Sequence, residues 1–200
     1  NDGRLDFYLA TGRPSYSYLV PNLLFRNVDG KRFEDVTTTT GTGHLQKGHG
    51  VSFADYDSDG DLDLFVEVGG QAPGDRAHNV LFKNPGHGRQ SIGIKLVGTK
   101  ANRSAIGAKL RLDFESADGK RRSIHRVIGS GSSFGGNSLA PTIGLDRATS
   151  IAVLTVTWPG SNTIQSFKDV PTNCSIVITE GLTSFRTVPR PTPGSRAIAP

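Results

Sequence analysis

Asp55-Tyr56-Asp57-Ser58-Asp59-Gly60-Asp61-Leu62-Asp63 decides how the chain is read, because it places five of the chain's 18 acidic residues in nine consecutive positions. Charges crowded this closely repel unless a positive group sits among them. The acids fall at loop positions 1, 3, 5, 7 and 9, with Gly60 at position 6. Alternate side chains of a tight loop converge on one point, and glycine permits the sharp turn. Converging hard oxygen ligands suit calcium, which takes roughly six to eight oxygens at about 2.3–2.6 Å. We therefore expect a Ca2+ site in which Asp55, Asp57, Asp59 and Asp63 offer carboxylates and Asp61 offers its backbone carbonyl.

The spacing does not fit the loop of a helix–loop–helix calcium hand. That loop requires a glutamate at position 12, where this chain has Val66. The loop also leads into a strand pattern rather than a helix: Leu62, Leu64 and Val66 alternate with Asp63, Phe65 and Glu67. The competing account is an acidic turn without metal, but turn chemistry needs one or two aspartates rather than five in alternation.

The start of the chain repeats the loop. Asp2-Gly3-Arg4-Leu5-Asp6-Phe7 aligns with Asp59-Gly60-Asp61-Leu62-Asp63-Leu64 at an offset of 57, and Asn22-Leu23-Leu24-Phe25-Arg26-Asn27 aligns with Asn79-Val80-Leu81-Phe82-Lys83-Asn84 at the same offset. Internal repeats of this period point to propellers or arrays. The first copy contains only Asp2 and Asp6 of its loop, a half-site that would hold calcium poorly. Asp29-Gly30 signals a hairpin turn. The Thr37–Thr40 run reads as a solvated strand end or loop, with O-glycosylation as the lesser reading. His44 and His49 flank the glycine-rich link after it and form a weak candidate pair for a transition metal.

The repeat ends near Pro85-Gly86-His87-Gly88, a natural boundary. Beyond it, Ala108, Leu110, Leu112 and Phe114 alternate with Lys109, Arg111, Asp113 and Glu115, the pattern of a half-buried strand. Ala117-Asp118-Gly119-Lys120 turns that strand into Arg121–Ile128. Ile151–Trp158 and Asn173–Thr179 read as further strands. Strands at this spacing between Gly and Pro turns suggest a β-sandwich. The expected fold is all-β: a repeat region over 1–88, a sandwich-like domain over 89–181, and a proline-rich tail over 182–200.

Composition agrees with turn-rich β structure: 25 Gly, 11 Pro, one Trp and 35% apolar residues. No apolar run approaches the ~18 residues of a membrane span. Cys174 is the single cysteine, so no internal disulfide forms. With neither methionine nor signal peptide, the chain reads as a mature or excised piece of something longer. The net charge of +5 reads as a diffuse basic surface. Gly129-Ser130-Gly131-Ser132-Ser133-Phe134-Gly135-Gly136 is the stretch that most invites a catalytic reading. It lacks the Gly-Lys-Ser ending of a phosphate loop and the strand-to-helix frame of a serine hydrolase. No enzyme is expected.

These residues carry a resemblance to two families. Asp55–Val66, with its partial twin Asp2–Leu9, resembles an FG-GAP/VCBS repeat. Asn102-Arg103-Ser104-Ala105-Ile106-Gly107-Ala108, Gly129–Gly136, Ile143-Gly144-Leu145 and Val156-Thr157-Trp158-Pro159-Gly160 resemble the ASPIC/UnbV domain that comes after such repeats in cartilage-acidic-protein-like extracellular proteins. The resemblance implies a partial β-propeller and a β-sandwich-like domain. It also implies an exported, non-catalytic, calcium-dependent structural or cell-adhesion module, secreted or at the cell surface.

Too few repeats are present for a propeller, which needs several blades. We therefore expect exposed sheet edges, belonging either to a fragment of a larger protein or to a protomer that pairs with a protein partner or with another copy in a filament or matrix. The alternative function is a glycan- or polyanion-binding module using Lys109, Arg111, Arg121, Arg122 and Arg126 on one sheet face. Interleaved aromatics are absent there, so no nucleic acid is expected. Asn102-Arg103-Ser104 and Asn173-Cys174-Ser175 fit the N-glycosylation pattern of a glycoprotein, although Asn102 also suits a backbone hydrogen bond.

Overall fold

The computed structural model describes residues 1–12, 20–45, 47–69, 77–161 and 163–190. The fold is all-β and is built from four sheets. Strands β1 (Phe7–Leu9), β2 (Leu23–Asn27) and β3 (Phe33–Asp35) form the first, in that order. A single-turn helix, α1 (Thr37–Thr40), comes next. Strands β4 (Gly48–Ala54), β5 (Asp63–Val68) and β6 (Val80–Phe82) form the second.

The threonine run is thus helical where a strand end or loop was expected. Its local hydrogen bonds explain why. Asp35 Oδ1 accepts from the Thr37 amide at 3.0 Å, and the Thr40 hydroxyl donates back to the Val36 carbonyl at 2.7 Å. Gly41, at φ +68°, then closes the turn in the left-handed region.

The repeat is visible in hydrogen bonds as well as letters. The Thr11 amide donates to Asn22 Oδ1 at 2.8 Å, and 57 residues on the Val68 amide donates to Asn79 Oδ1 at 2.9 Å. The Asn27 amide donates to Asp6 Oδ1 and the Asn84 amide to Asp63 Oδ1, each at 2.8 Å. The Arg4 amide donates to Asp2 Oδ1 at 2.9 Å and the Asp61 amide to Asp59 Oδ1 at 2.8 Å. Three side-chain caps recurring at one offset make β1–β2 the structural counterpart of β5–β6.

The two three-stranded sheets pack through a small core. Tyr8 and Leu24 from the first meet Leu64, Val66, Val68, Val51, Phe53, Val80 and Phe82 from the second. The counterpart of β3 in the second copy would begin at residue 90, but there the chain enters a different sheet.

That sheet contains β7 (Gln90–Val97), β10 (Thr142–Asp146), β13 (Cys174–Thr179) and β14 (Phe185–Val188), in the order β10-β7-β13-β14. The fourth sheet runs β12 (Ile164–Pro171), β11 (Ser150–Thr157), β8 (Lys109–Glu115), β9 (Arg121–Val127). The two share one core. Ile92, Ile94, Ile176 and Ile178 come from the first of them, and Leu110, Leu112, Leu154 and Val156 from the second, with Trp158 buried among them. Each such side chain contributes about 1.5–3 kcal/mol when buried. The β7–β13 pairing is parallel and the rest are antiparallel.

The tail expected from 182 onward begins later, because Phe185–Val188 pairs with β13 and Phe185 rests its ring edge-on against Phe167. The proline-rich run from 191 lies outside the described residues. No described helix is long and apolar enough to cross a membrane.

Candidate metal centre

The acidic loop joins β4 to β5, so its two ends are held by neighbouring antiparallel strands, with Ala54 paired to Asp63. Ser58, at φ +64°, and Gly60, at φ +96°, turn it back on itself. One carboxylate oxygen from each of Asp55, Asp57 and Asp59 lies within 4.8 Å of the other two. Among the described residues this is the one such cluster of acids, histidines or cysteine, so His44 and His49 belong to none.

The five aspartates divide by what already occupies their oxygens. Asp55 accepts from the Gly60 amide through Oδ2 at 3.1 Å, while its Oδ1 is buried without a hydrogen-bond partner. Asp57 pairs through Oδ2 with Lys83 Nζ at 2.5 Å, and its Oδ1 is likewise buried and unpartnered. Asp59 caps the Asp61 amide. Two orphaned carboxylate oxygens in one cluster are costly unless a cation satisfies them. The site therefore fits a metal ion, with Asp55, Asp57 and Asp59 converging on it.

Asp63 and Asp61 sit differently. Asp63 is buried, and its two oxygens accept from the Tyr56 amide at 3.1 Å and the Asn84 amide at 2.8 Å. Its carboxylate clamps the two ends of the loop to β6. Asp61 Oδ1 accepts from Asn1 Nδ2 at 2.6 Å. Burial raises the Asp55 carboxyl, opposed by the Gly60 amide and the Arg190 charge. Burial and then the Asp59 charge raise Asp61. The Lys83 partner lowers Asp57.

Four residues at this centre carried no signal in the sequence. Asn1 Nδ2 and Ser91 Oγ both donate to the Gly60 carbonyl, at 2.9 and 2.7 Å. The Arg190 guanidinium packs on Gly60, close enough that a Cβ there would collide with Nη1. Lys83 comes from just beyond β6. Three of the four lie more than 25 residues from the loop, and no local pattern links them to it.

In the half-site of the first copy, Asp2 is already paired with cations. Arg4 stands where the second copy has Asp61, and its Nη1 lies 3.2 Å from Asp2 Oδ2. Arg89 approaches the same oxygen at 4.0 Å.

The catalytic-looking glycine stretch is a strap between sheets. The Val51 amide donates to the Phe134 carbonyl at 3.1 Å, and Asn137 Oδ1 accepts from the Phe53 amide at 2.9 Å. Ser52 Oγ adds a bond to the Gly136 carbonyl at 2.8 Å. Gly135 lies so close to Val51 that a Cβ would strike its backbone.

The basic face needs correcting. Strand alternation puts Arg121 opposite Glu115 and Arg111 opposite His125, while Arg122 and Arg126 fall opposite Phe114 and Leu110 on the other side. Those two reach across to the Asp2 and Gly3 carbonyls, each at 3.0 Å. Arg111 is paired with Asp113 at 3.0 Å. Five cations on one face are reduced to Lys109, Arg111 and Arg121, interleaved with two acids.

The sequon asparagines are both engaged: Asn102 exchanges two bonds of 2.9 Å with the Ile106 backbone, and Asn173 bonds Gln90 and the Ser91 amide.

Residues 1–66 match the family model of the FG-GAP-like repeat, and residues 98–184 match that of ASPIC and UnbV. The two matched regions stand in the order FG-GAP-like repeat, then ASPIC/UnbV domain. A search of curated proteins found no match. The FG-GAP-like match covers the whole acidic loop and ends within β5. The ASPIC/UnbV match contains the glycine strap, so the contacts at Val51–Phe53 join one matched region to the other.

Proposed function

We propose that this chain is a non-catalytic, calcium-stabilised structural or adhesive module that works outside the cell. The observation that carries the reading is the pair of buried, unpartnered oxygens, Asp55 Oδ1 and Asp57 Oδ1, in a cluster closed by Asp59. FG-GAP repeats often bind calcium and are typically extracellular or at the cell surface, which supports both the ion and the setting. Bound there, calcium would supply positive charge and take the carboxylate oxygens of Asp55, Asp57 and Asp59 as ligands, with no reaction to perform. The chain's own residues do the rest: Asp63 fixes the loop ends, while Asn1, Ser91 and Arg190 hold the Gly60 side from outside the hairpin.

The aspartates are absorbed in this structural role, and the Gly129–Gly136 stretch is absorbed as a strap, which supports a module without catalysis. The glycan-binding alternative loses Arg122 and Arg126 to contacts with the chain start and is the weaker reading. Melting with and without a chelator tests the proposal. Chelation should lower Tm, and Asp59→Ala should melt like the chelated parent. A chelated protein melting where the calcium-loaded one does would overturn it.

A further inference from the structure

The Arg190 guanidinium is a fixed positive charge at the acidic loop, and it arrives from a segment remote in sequence. Strand β14 lies at the edge of its sheet, pairs with β13, and leads into Arg190 just after Val188. The Arg190 Nη1 and Cζ, with Ser91 Oγ, fill the space that a Cβ on Gly60 would need. Its Nη2 is buried without a hydrogen-bond partner. The charge is therefore held against the loop by packing, not by a carboxylate that would neutralise it. Its field still reaches the aspartates. Burial is the largest influence on the Asp55 and Asp61 carboxyls and raises both, and the Arg190 charge opposes it at each. Lys83, also a cation at the loop, is placed differently. It pairs directly with Asp57 and its side chain is 64% exposed, so it can swing into solvent when an ion arrives. Arg190, packed against Gly60 beside Ser91, stays in place.

We infer that Arg190 sets the calcium affinity of the loop: its fixed charge repels the ion that Asp55, Asp57 and Asp59 attract, and weakens the binding those three would otherwise give. The inference rests on the calcium reading of the loop and adds to it the residue that regulates the site. Two positive charges beside the same carboxylates repel each other, and each is attracted less once the other has partly neutralised them. The coupling is reciprocal: what Arg190 takes from calcium binding, bound calcium takes from the seating of Arg190. Strand β14 is four residues long, and its residues are exposed or half-buried, the kind of element that opens locally at low cost. Drawing this segment away tightens the site, and filling the site loosens the segment. A role in packing alone makes the opposite prediction, because losing a group that holds Gly60 in place would splay the loop and weaken binding.

Calorimetric titration of calcium into the chelated parent, Arg190→Gln and Arg190→Lys chains tests it. Glutamine keeps a planar polar group without the charge, and lysine keeps the charge without the planar fork. Arg190→Gln should bind calcium about fivefold more tightly than the parent or better, the lower end of ordinary couplings between sites. Arg190→Lys should bind within about twofold of the parent, because the charge remains. The rise in Tm at one fixed calcium concentration should also be larger in Arg190→Gln than in the parent, which reads the same coupling without calorimetry. A parent that binds calcium while Arg190→Gln binds equally or more weakly would overturn the inference and leave the calcium reading standing. Equal tightening in Arg190→Gln and Arg190→Lys would overturn it too, since the charge would then not be the cause. A parent that takes up no calcium would overturn the calcium reading and this inference with it.

Discussion

The Ser91 hydroxyl donates to the Gly60 carbonyl at 2.7 Å, tying the first residues of β7 to the turn of the acidic loop. Asn1 shares that carbonyl, and Arg190 packs on the same glycine. Three segments remote in sequence therefore meet at one backbone position.

Gly60 cannot accept a side chain without disturbing that meeting. Its φ of +96° is unfavourable for any L-residue, and a Cβ would strike the Arg190 guanidinium. Gly60→Ala should destabilise by at least the about 1–2 kcal/mol of a left-handed alanine. Chemical denaturation checks this, and Arg190→Ala in the same background should recover part of the loss by removing the collision.

Asp57 and Asp63 should respond oppositely to calcium. Asp63 serves two backbone amides whether or not an ion is present. Removing a charged acceptor of this kind costs about 1.5–3 kcal/mol per bond, so Asp63→Ala should destabilise the chelated protein. Asp57 contributes an unpartnered buried oxygen, and its other bond is to the mostly exposed Lys83. Asp57→Ala should lower Tm in calcium and change it little in chelator. Melting curves of both variants under both conditions distinguish the roles.

Glu180 sets an acid limit that does not involve the metal loop. Its burial raises the carboxyl, but the Ser161 hydroxyl and the amides of Ala101, Thr99 and Lys100 outweigh that and hold it at about 2, below the ordinary 4.5. Because the folded state holds the proton less tightly than the unfolded chain, the contribution is fully present above 4.5 and is lost as pH falls toward about 2. Glu180→Gln should lower Tm at neutral pH, with the gap to the parent narrowing across that acid window. A gap that stays constant with pH would contradict the assignment.

Local patterns were legible in the sequence where neighbours in the chain are neighbours in space. The Asp55–Asp63 alternation, the Asp29-Gly30 hairpin and the two-residue period of Lys109–Glu115 are of this kind. The 57-residue repeat was legible because its capping residues, Asn22 and Asn79 or Asp6 and Asp63, recur with their partners at fixed separation. Strand β14 was not, since its four residues alternate weakly and its partner is non-local. The side on which Arg122 and Arg126 fall needed the strand register, because one residue of shift exchanges the faces. Asn1, Ser91 and Arg190 reach the loop only through the packing of separate sheets.

Calorimetric titration of calcium into the chelated chain tests the central claim most directly. The account predicts a saturable signal corresponding to one ion per chain, because in the first copy Arg4 already pairs with Asp2, the counterpart of Asp59. At a calcium concentration about a hundredfold above Kd, binding should add about 2.7 kcal/mol to stability. Asp59→Ala should abolish the signal, and Arg4→Ala should leave it intact. A flat titration of the folded parent chain, or a signal that survives Asp59→Ala unchanged, would contradict the account.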